Sequence, residues 1–157
     1  MLEAIVRAGV PVFIVTNSDG KLVDARLDAL RLRGRQQVCV MGGAAKFQIC
    51  EPSCFDVAFE RLSASLRVEG LCRPVLLRRE RYYDRLIELW RRSGQQAVRT
   101  LVCGDSFEID LALPAALGCQ TLLVTRDETP AYERAAVAAL PGGDVCETLG
   151  AVLQRLP

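Results

Sequence analysis

The stretch Leu101-Val102-Cys103-Gly104-Asp105-Ser106-Phe107-Glu108-Ile109-Asp110 decides how this chain is read. The run from Thr100 to Cys103 is short and apolar, as a buried strand would be. Gly104 allows a tight turn where a side chain would collide. Phe107 to Leu117 then reads as a helix, with Pro114 implying a kink or a restart inside it. Asp105 would stand at the C-terminal end of a strand, and Asp110 in the first turn of the following helix. In a parallel α/β sheet that edge is where ligands bind. Two carboxylates with a serine hydroxyl between them are hard oxygen donors, which suits Mg²⁺. The plainer reading of the same residues is a βα junction with Asp105 as a turn or capping residue.

Working outward, strands and helices alternate. Leu2 to Ala8 has helical spacing and Gly9 closes it. Val10 to Val15 is rich in β-branched residues and reads as a buried parallel strand, ending in the polar turn Thr16 to Gly20. Lys21 to Leu32 is a helix stopped by Gly34. Val38 to Met41 is a strand, followed by Gly42-Gly43-Ala44-Ala45-Lys46, and Phe47 to Ile49 is a further short strand candidate. Glu51 to Gly70 is ambiguous: a helix could start at Pro52-Ser53 and run to Leu66, with Phe55, Phe59 and Leu62 on one face. Pro74 to Leu77 is extended. Arg78 to Arg92 is a helix with Tyr82, Leu86, Leu89 and Trp90 as its apolar stripe. Beyond the deciding stretch come a strand at Gln120 to Thr125, a helix at Thr129 to Leu140, a short strand at Val145-Cys146 and a last helix at Leu149 to Leu156. This alternation argues for one α/β domain over residues 1–157, a three-layer α/β/α arrangement around a Rossmann-like parallel sheet.

Composition narrows the chemistry. The 157 residues carry 20 Lys+Arg against 19 Asp+Glu, so no global charge points to nucleic acid or an anionic membrane. The chain has 0 histidines, which excludes every mechanism or metal site that needs one. Its 7 cysteines are scattered; Cys39, Cys103 and Cys119 lie in apolar surroundings, and Cys50 with Cys54 is the only close pair. A reducing, cytoplasmic setting fits that usage. No apolar run reaches a membrane span, and Met1 to Gly9 is too short and charged for a signal sequence.

Two separated pieces together resemble the haloacid dehalogenase superfamily of phosphohydrolases. One is the helix followed by Gly9-Val10-Pro11-Val12-Phe13-Ile14-Val15-Thr16-Asn17; the other is Val102 to Asp110, followed by Ala115-Ala116-Leu117-Gly118 and the strand Thr121 to Val124. The resemblance covers most of the chain. It implies that Thr16, with Asn17, binds the transferred phosphoryl group, and that Asp105 and Asp110 hold Mg²⁺. It further implies a cation near the start of the helix at Arg78-Arg79-Glu80-Arg81, with Arg79 the nearest match and Arg78 the alternative. Lys46, beyond a strand end, is a rival. These residue types suit the chemistry: a phosphoryl group spreads charge over three oxygens, and catalysis is mainly positioning and neutralisation.

The departure from the family lies upstream. Its nucleophile is an aspartate in an Asp-x-Asp motif on the first, central strand, and this chain starts at the helix before the second motif. An alternative alignment sets Thr16 to Asp24 against that first motif, with Asn17 in the nucleophile's place and Asp19 as acid/base; it too lacks the attacking carboxylate. Asp19 itself reads as the Asp-Gly of a turn, and Asp24, Asp28, Asp84 and Glu88 as ion-paired helix residues. The expectation is a Mg²⁺-dependent phosphohydrolase of a phosphorylated small molecule, N-terminally incomplete and inactive as this chain. The alternative is a degenerate domain that binds a phosphorylated ligand or a partner protein. A sheet without its central strand would bare an edge, which favours self-association into a homo-oligomer. A receiver or nucleotide-binding α/β fold is a third reading, but neither a Gly-rich dinucleotide loop nor a P-loop is present.

Overall fold

The structure is a computed structural model that describes residues 1–50 and 56–155. Its chain divides into two compact units, one formed by Met1–Lys46 with the segment from Leu149 onward, the other by Phe47–Thr148. The architecture is mixed α/β. Its strands form three small sheets, two of them parallel and one an antiparallel pair.

In the first unit, α1 (Leu2–Arg7) leads through the left-handed Gly9, at φ 73°, into β1 (Val12–Val15). α2 (Gly20–Ala29) follows, and β2 (Val38–Met41) then pairs parallel with β1, Val12 opposite Val38 and Val15 opposite Met41. The core is Val6, Leu27 and Val38, packed by Leu2, Val12, Ile14, Val23, Leu32 and Val40. Full burial of such side chains contributes roughly 1.5–3 kcal/mol each. Arg35 pins the helix to the strand: it pairs with Asp24, with Asp28 at 2.9 Å, and donates to the Val38 carbonyl at 2.9 Å. The expected ion pairs at Asp24 and Asp28 are therefore present. The C-terminal segment Leu149–Arg155 is helical, as expected, and of the 3-10 type.

The second unit holds α3 (Val57–Glu60), β3 (Ser65–Leu66), β4 (Val75–Leu76), α4 (Glu80–Ser93), β5 (Leu101–Gly104), α5 (Ala112–Ala116), β6 (Gln120–Val124), α6 (Ala131–Ala138) and β7 (Gly143–Cys146). β5, β6 and β7 run parallel with β6 in the middle. That order explains why Thr121, Leu122 and Leu123 are all buried: a central parallel strand is covered on both faces. α4 buries Tyr82, Tyr83, Leu86 and Leu89 and ends at Gly94, at φ 66°. Trp90, expected in that stripe, is half-buried and donates through Nε1 to Thr100 Oγ1 at 2.9 Å.

Three expectations fail here. The helix proposed from Pro52 to Leu66 shrinks to α3, which Asp56 caps by accepting from Ala58 and Phe59 N–H at 2.8 and 3.1 Å. Ser65 and Leu66 instead pair antiparallel with Leu76 and Val75. Phe59 and Leu62 are buried, as the apolar face predicts, although they do not share one long helix; Pro52, Ser53, Cys54 and Phe55 lie outside the described residues. Phe47 to Ile49 forms no strand: Phe47 and Ile49 are exposed, and pairing begins only with a single bridge from Cys50 to Arg79. Phe107 to Leu117 is not one α-helix either. It opens with a wide π turn, Phe107–Leu111, before α5. Pro114 thus falls in the first turn of α5, where a proline is tolerated.

Candidate functional site

In the first unit, the end of β1 is built by two turns pressed together. Thr16 N–H donates to the Met41 carbonyl at 3.0 Å, and the Thr16 carbonyl accepts from Ala44 N–H at 2.9 Å. Asn17 Oδ1 accepts from Lys46 N–H at 2.7 Å, and Ser18 O from Gly43 N–H at 2.9 Å. Glycine is required at 42: a Cβ there would stand 2.2 Å from Gly20 N. Thr16, Asn17 and Lys46 are thereby brought together at one strand end. The Thr16 hydroxyl accepts from Ser18 N–H at 3.1 Å, which orients its oxygen at the turn. Asp19 is engaged elsewhere, capping α2 through Lys21 N–H at 2.8 Å.

In the second unit, Gly104 ends β5 opposite Leu123 of β6. Asp105 follows at the sheet edge with its carboxylate 38% exposed, and pairs with Arg126. The chain then folds back so that Asp110 covers Gly104; Asp110 Oδ2 accepts from Ser106 N–H at 3.3 Å. Ser106 Oγ accepts in turn from Ile109 N–H at 3.3 Å, capping the π turn. Asp105 and Asp110, five residues apart in sequence, therefore belong to one turn at one strand end.

Three groups hold this turn from outside. Tyr82 donates its hydroxyl to the Asp110 carbonyl at 2.7 Å. Pro114 has no N–H to offer that carbonyl four residues back, and the tyrosine supplies a donor. Burial, with Asp110 beside it, drives the Tyr82 phenol upward, so it stays protonated and able to donate. Arg79, the N-cap residue of α4, is 3% exposed and donates to the Glu108 carbonyl at 2.7 Å, with Ile109 O at 3.5 Å. Burial works against the Arg79 charge, while Glu108, at 3.9 Å from its Nη2, favours it. Its Nε has no hydrogen-bond partner among the described residues. Glu133, buried on α6, accepts from Phe107 N–H at 3.1 Å and from Ser106 Oγ at 3.4 Å.

Arg78 is engaged by the carbonyls of Leu62 and Glu60 at 3.3 and 3.2 Å and lies over the Phe59 ring. Arg79, rather than Arg78, joins the Asp105–Asp110 turn. Arg73 adds a bidentate bond to Glu108, 2.8 Å to each oxygen, and holds that carboxyl below its usual range.

Sequence reasoning missed Glu133, Arg126 and Tyr82 as site residues. Arg126 had a signal: it follows β6 as Asp105 follows β5, at the ligand-binding edge. Glu133 reads as an ordinary acid in a first helical turn, and its burial leaves no trace in the sequence.

As a test for Mg²⁺, the turn offers two carboxylates and a serine hydroxyl. Among the described residues no group of three or more His, Cys, Asp or Glu is arranged to hold a metal. The donor set still fits Mg²⁺, which binds through one or two carboxylates and fills its remaining positions with water and phosphate oxygens. The six described cysteines are free thiols; burial raises Cys103 to about 11 and Cys119 to about 12, so both are protonated and unsuited to metal. Among the described residues no helix is long and apolar enough to cross a membrane.

Comparison with models of known protein families finds no match, and comparison with curated proteins finds none.

Proposed function

We propose that this chain carries the phosphate- and metal-binding elements of a haloacid-dehalogenase-like, Mg²⁺-dependent phosphohydrolase of a phosphorylated small molecule, within a three-layer α/β/α design. The observation that carries the reading is the packing of Asp110 over Gly104, which folds a second carboxylate back to the strand end that bears Asp105. A turn that needs a glycine to admit an aspartate is a costly way to make an ordinary βα junction, and a direct way to gather two acids.

In this reading Asp105 and Asp110 hold Mg²⁺, which would offset the charge of the phosphoryl oxygens. Arg79 fixes the turn through the Glu108 carbonyl, keeping Asp110 in place. In the first unit, taken by itself, Thr16 offers a hydroxyl and Lys46 a cation, on a turn that Asn17 ties to the end of β1. These residues bind, orient and neutralise. None of Thr16, Asn17 and Ser18 is an attacking carboxylate, and Asp19 caps a helix. Attack on phosphorus is left to an aspartate outside that turn.

The Asp19 cap also favours a second reading, a degenerate domain that binds a phosphorylated ligand without turning it over. Calorimetric titration with Mg²⁺ tests the shared part: binding by the wild-type chain and none by Asp105→Asn is expected. Equal affinity in the two would remove the metal assignment. Hydrolysis of small phosphate esters by a chain that binds Mg²⁺ would decide for the enzyme, and its absence for the binding domain.

A further inference from the structure

The Asp105–Arg126 pair assigns a residue that the reading above leaves unused. We infer that Arg126 is the cation that meets the phosphoryl group at this strand end, and that it occupies Asp105 until a divalent cation displaces it. The inference rests on the metal reading of Asp105.

Three observations carry it. First, Arg126 shares the sheet edge with Asp105: Gly104 and Leu123 are paired in register, Asp105 comes one residue later and Arg126 three residues after Leu123. Second, its backbone is fixed while its side chain reaches out into solvent to Asp105. Arg126 N–H donates to Thr129 Oγ1 at 2.7 Å, its carbonyl accepts from Thr129 N–H at 3.0 Å and from Arg134 Nη2 at 3.2 Å, yet the side chain is 71% exposed. A long side chain on an anchored stem can move between two partners without the loop moving. Third, the arginines that the sequence offers for this task are engaged. Arg79 is buried against the Glu108 carbonyl, and Arg78 serves the Glu60 and Leu62 carbonyls.

The chemistry follows from charge. Without metal, Asp105 at the sheet edge draws an exposed cation, and Arg126 is in contact with it. A divalent cation competes for the same carboxylate oxygens more strongly than an exposed ion pair, which is a weak contact. With Asp105 turned to a cation, the Arg126 guanidinium would be left at the same sheet edge with its planar fork of donors available. That geometry suits a phosphoryl group, which arginine can meet with two parallel N–H···O bonds. The ligand class is therefore a phosphate monoester or free phosphate.

Titration of Mg²⁺, and then of inorganic phosphate at saturating Mg²⁺, into wild type, Arg126→Ala, Arg126→Lys and Asp105→Asn tests it. The substitution is at an exposed side chain, and the melting temperature without ligand is expected to be unchanged. Arg126→Ala should bind Mg²⁺ about threefold to fivefold more tightly, the weight of an exposed pair removed. It should bind phosphate roughly tenfold more weakly, the loss of a charge-assisted contact. Arg126→Lys, which keeps the charge and loses the fork, should fall between. Unchanged affinities in Arg126→Ala, with Asp105→Asn unable to bind Mg²⁺, would overturn the inference and leave the metal site standing. Tighter Mg²⁺ with unchanged phosphate would overturn the anion-binding role. No Mg²⁺ binding by wild type or Arg126→Ala would remove the metal reading and this inference together.

Discussion

Asp110 lies directly over Gly104: a Cβ on the glycine would stand 2.3 Å from Asp110 Cβ and 2.8 Å from its Cγ and Oδ2. The two positions therefore constrain each other. Gly104→Ala must either push Asp110 away or strain β5. A destabilisation of about 1–3 kcal/mol is expected, as for overpacking a tight interior, together with loss of any Mg²⁺-induced shift. Denaturant unfolding with and without Mg²⁺ checks both. A Gly104→Ala chain with wild-type stability and Mg²⁺ response would show that the contact does not matter.

The tyrosine beneath the turn gives a second test. Tyr82→Phe removes only the hydroxyl that bonds the Asp110 carbonyl at 2.7 Å. The expected cost is about 1–2 kcal/mol, or a fall in melting temperature of roughly 2–4 °C per kcal/mol for a chain of this size. No measurable fall would mean that another donor serves the carbonyl equally well.

Glu133 and the turn are separable in the same way. Glu133→Ala strips the buried Phe107 N–H of its acceptor, and about 1–3 kcal/mol is expected to be lost. Glu133→Gln keeps an acceptor at that position and should cost clearly less. Equal losses in the two variants, measured by chemical denaturation, would place the importance of Glu133 in its charge instead.

Acid should loosen the contact between Arg73 and the turn. The hydrogen bonds from Arg73 hold the Glu108 carboxyl below its ordinary value of about 4.5, so the unfolded chain binds that proton more readily than the folded one. Stability from this group is fully present above about pH 4.5 and is lost as pH falls through the lower, folded value. Glu108→Gln and Arg73→Ala should each flatten the acid side of the melting-temperature profile. A slope as steep as that of wild type in both variants would contradict the linkage.

Much of the local structure was legible in the sequence because period and punctuation agree there. Val12 to Val15, Val38 to Met41 and Leu101 to Gly104 are short β-branched or apolar runs closed by polar or glycine turns, and each is a strand. Gly9 and Gly94 mark helix ends because each adopts a positive φ that other residues resist. The antiparallel pair of Ser65-Leu66 with Val75-Leu76 was not legible, since two-residue strands carry no period. The π turn at Phe107–Leu111 was hidden too: its apolar spacing suits an α-helix, and what widens it is a set of tertiary contacts at Ser106, Phe107 and Asp110. Asp105 and Asp110 could be picked out by type and spacing. Glu133, Tyr82 and Arg126 reach the turn from elements 15 or more residues away in sequence, and only folding brings them there.

The most direct measurement is a thermal melt of the 157-residue chain with and without Mg²⁺ and a phosphate mimic, alongside Asp105→Asn and Asp110→Asn. Ligand at about a hundred times its dissociation constant stabilises the folded state by roughly 2.7 kcal/mol. If Asp105 and Asp110 form a Mg²⁺ site, the wild-type transition moves up with Mg²⁺, moves further with the mimic, and both variants stay still. A cooperative wild-type melt that ignores Mg²⁺, or variants that shift as wild type does, would contradict the metal site.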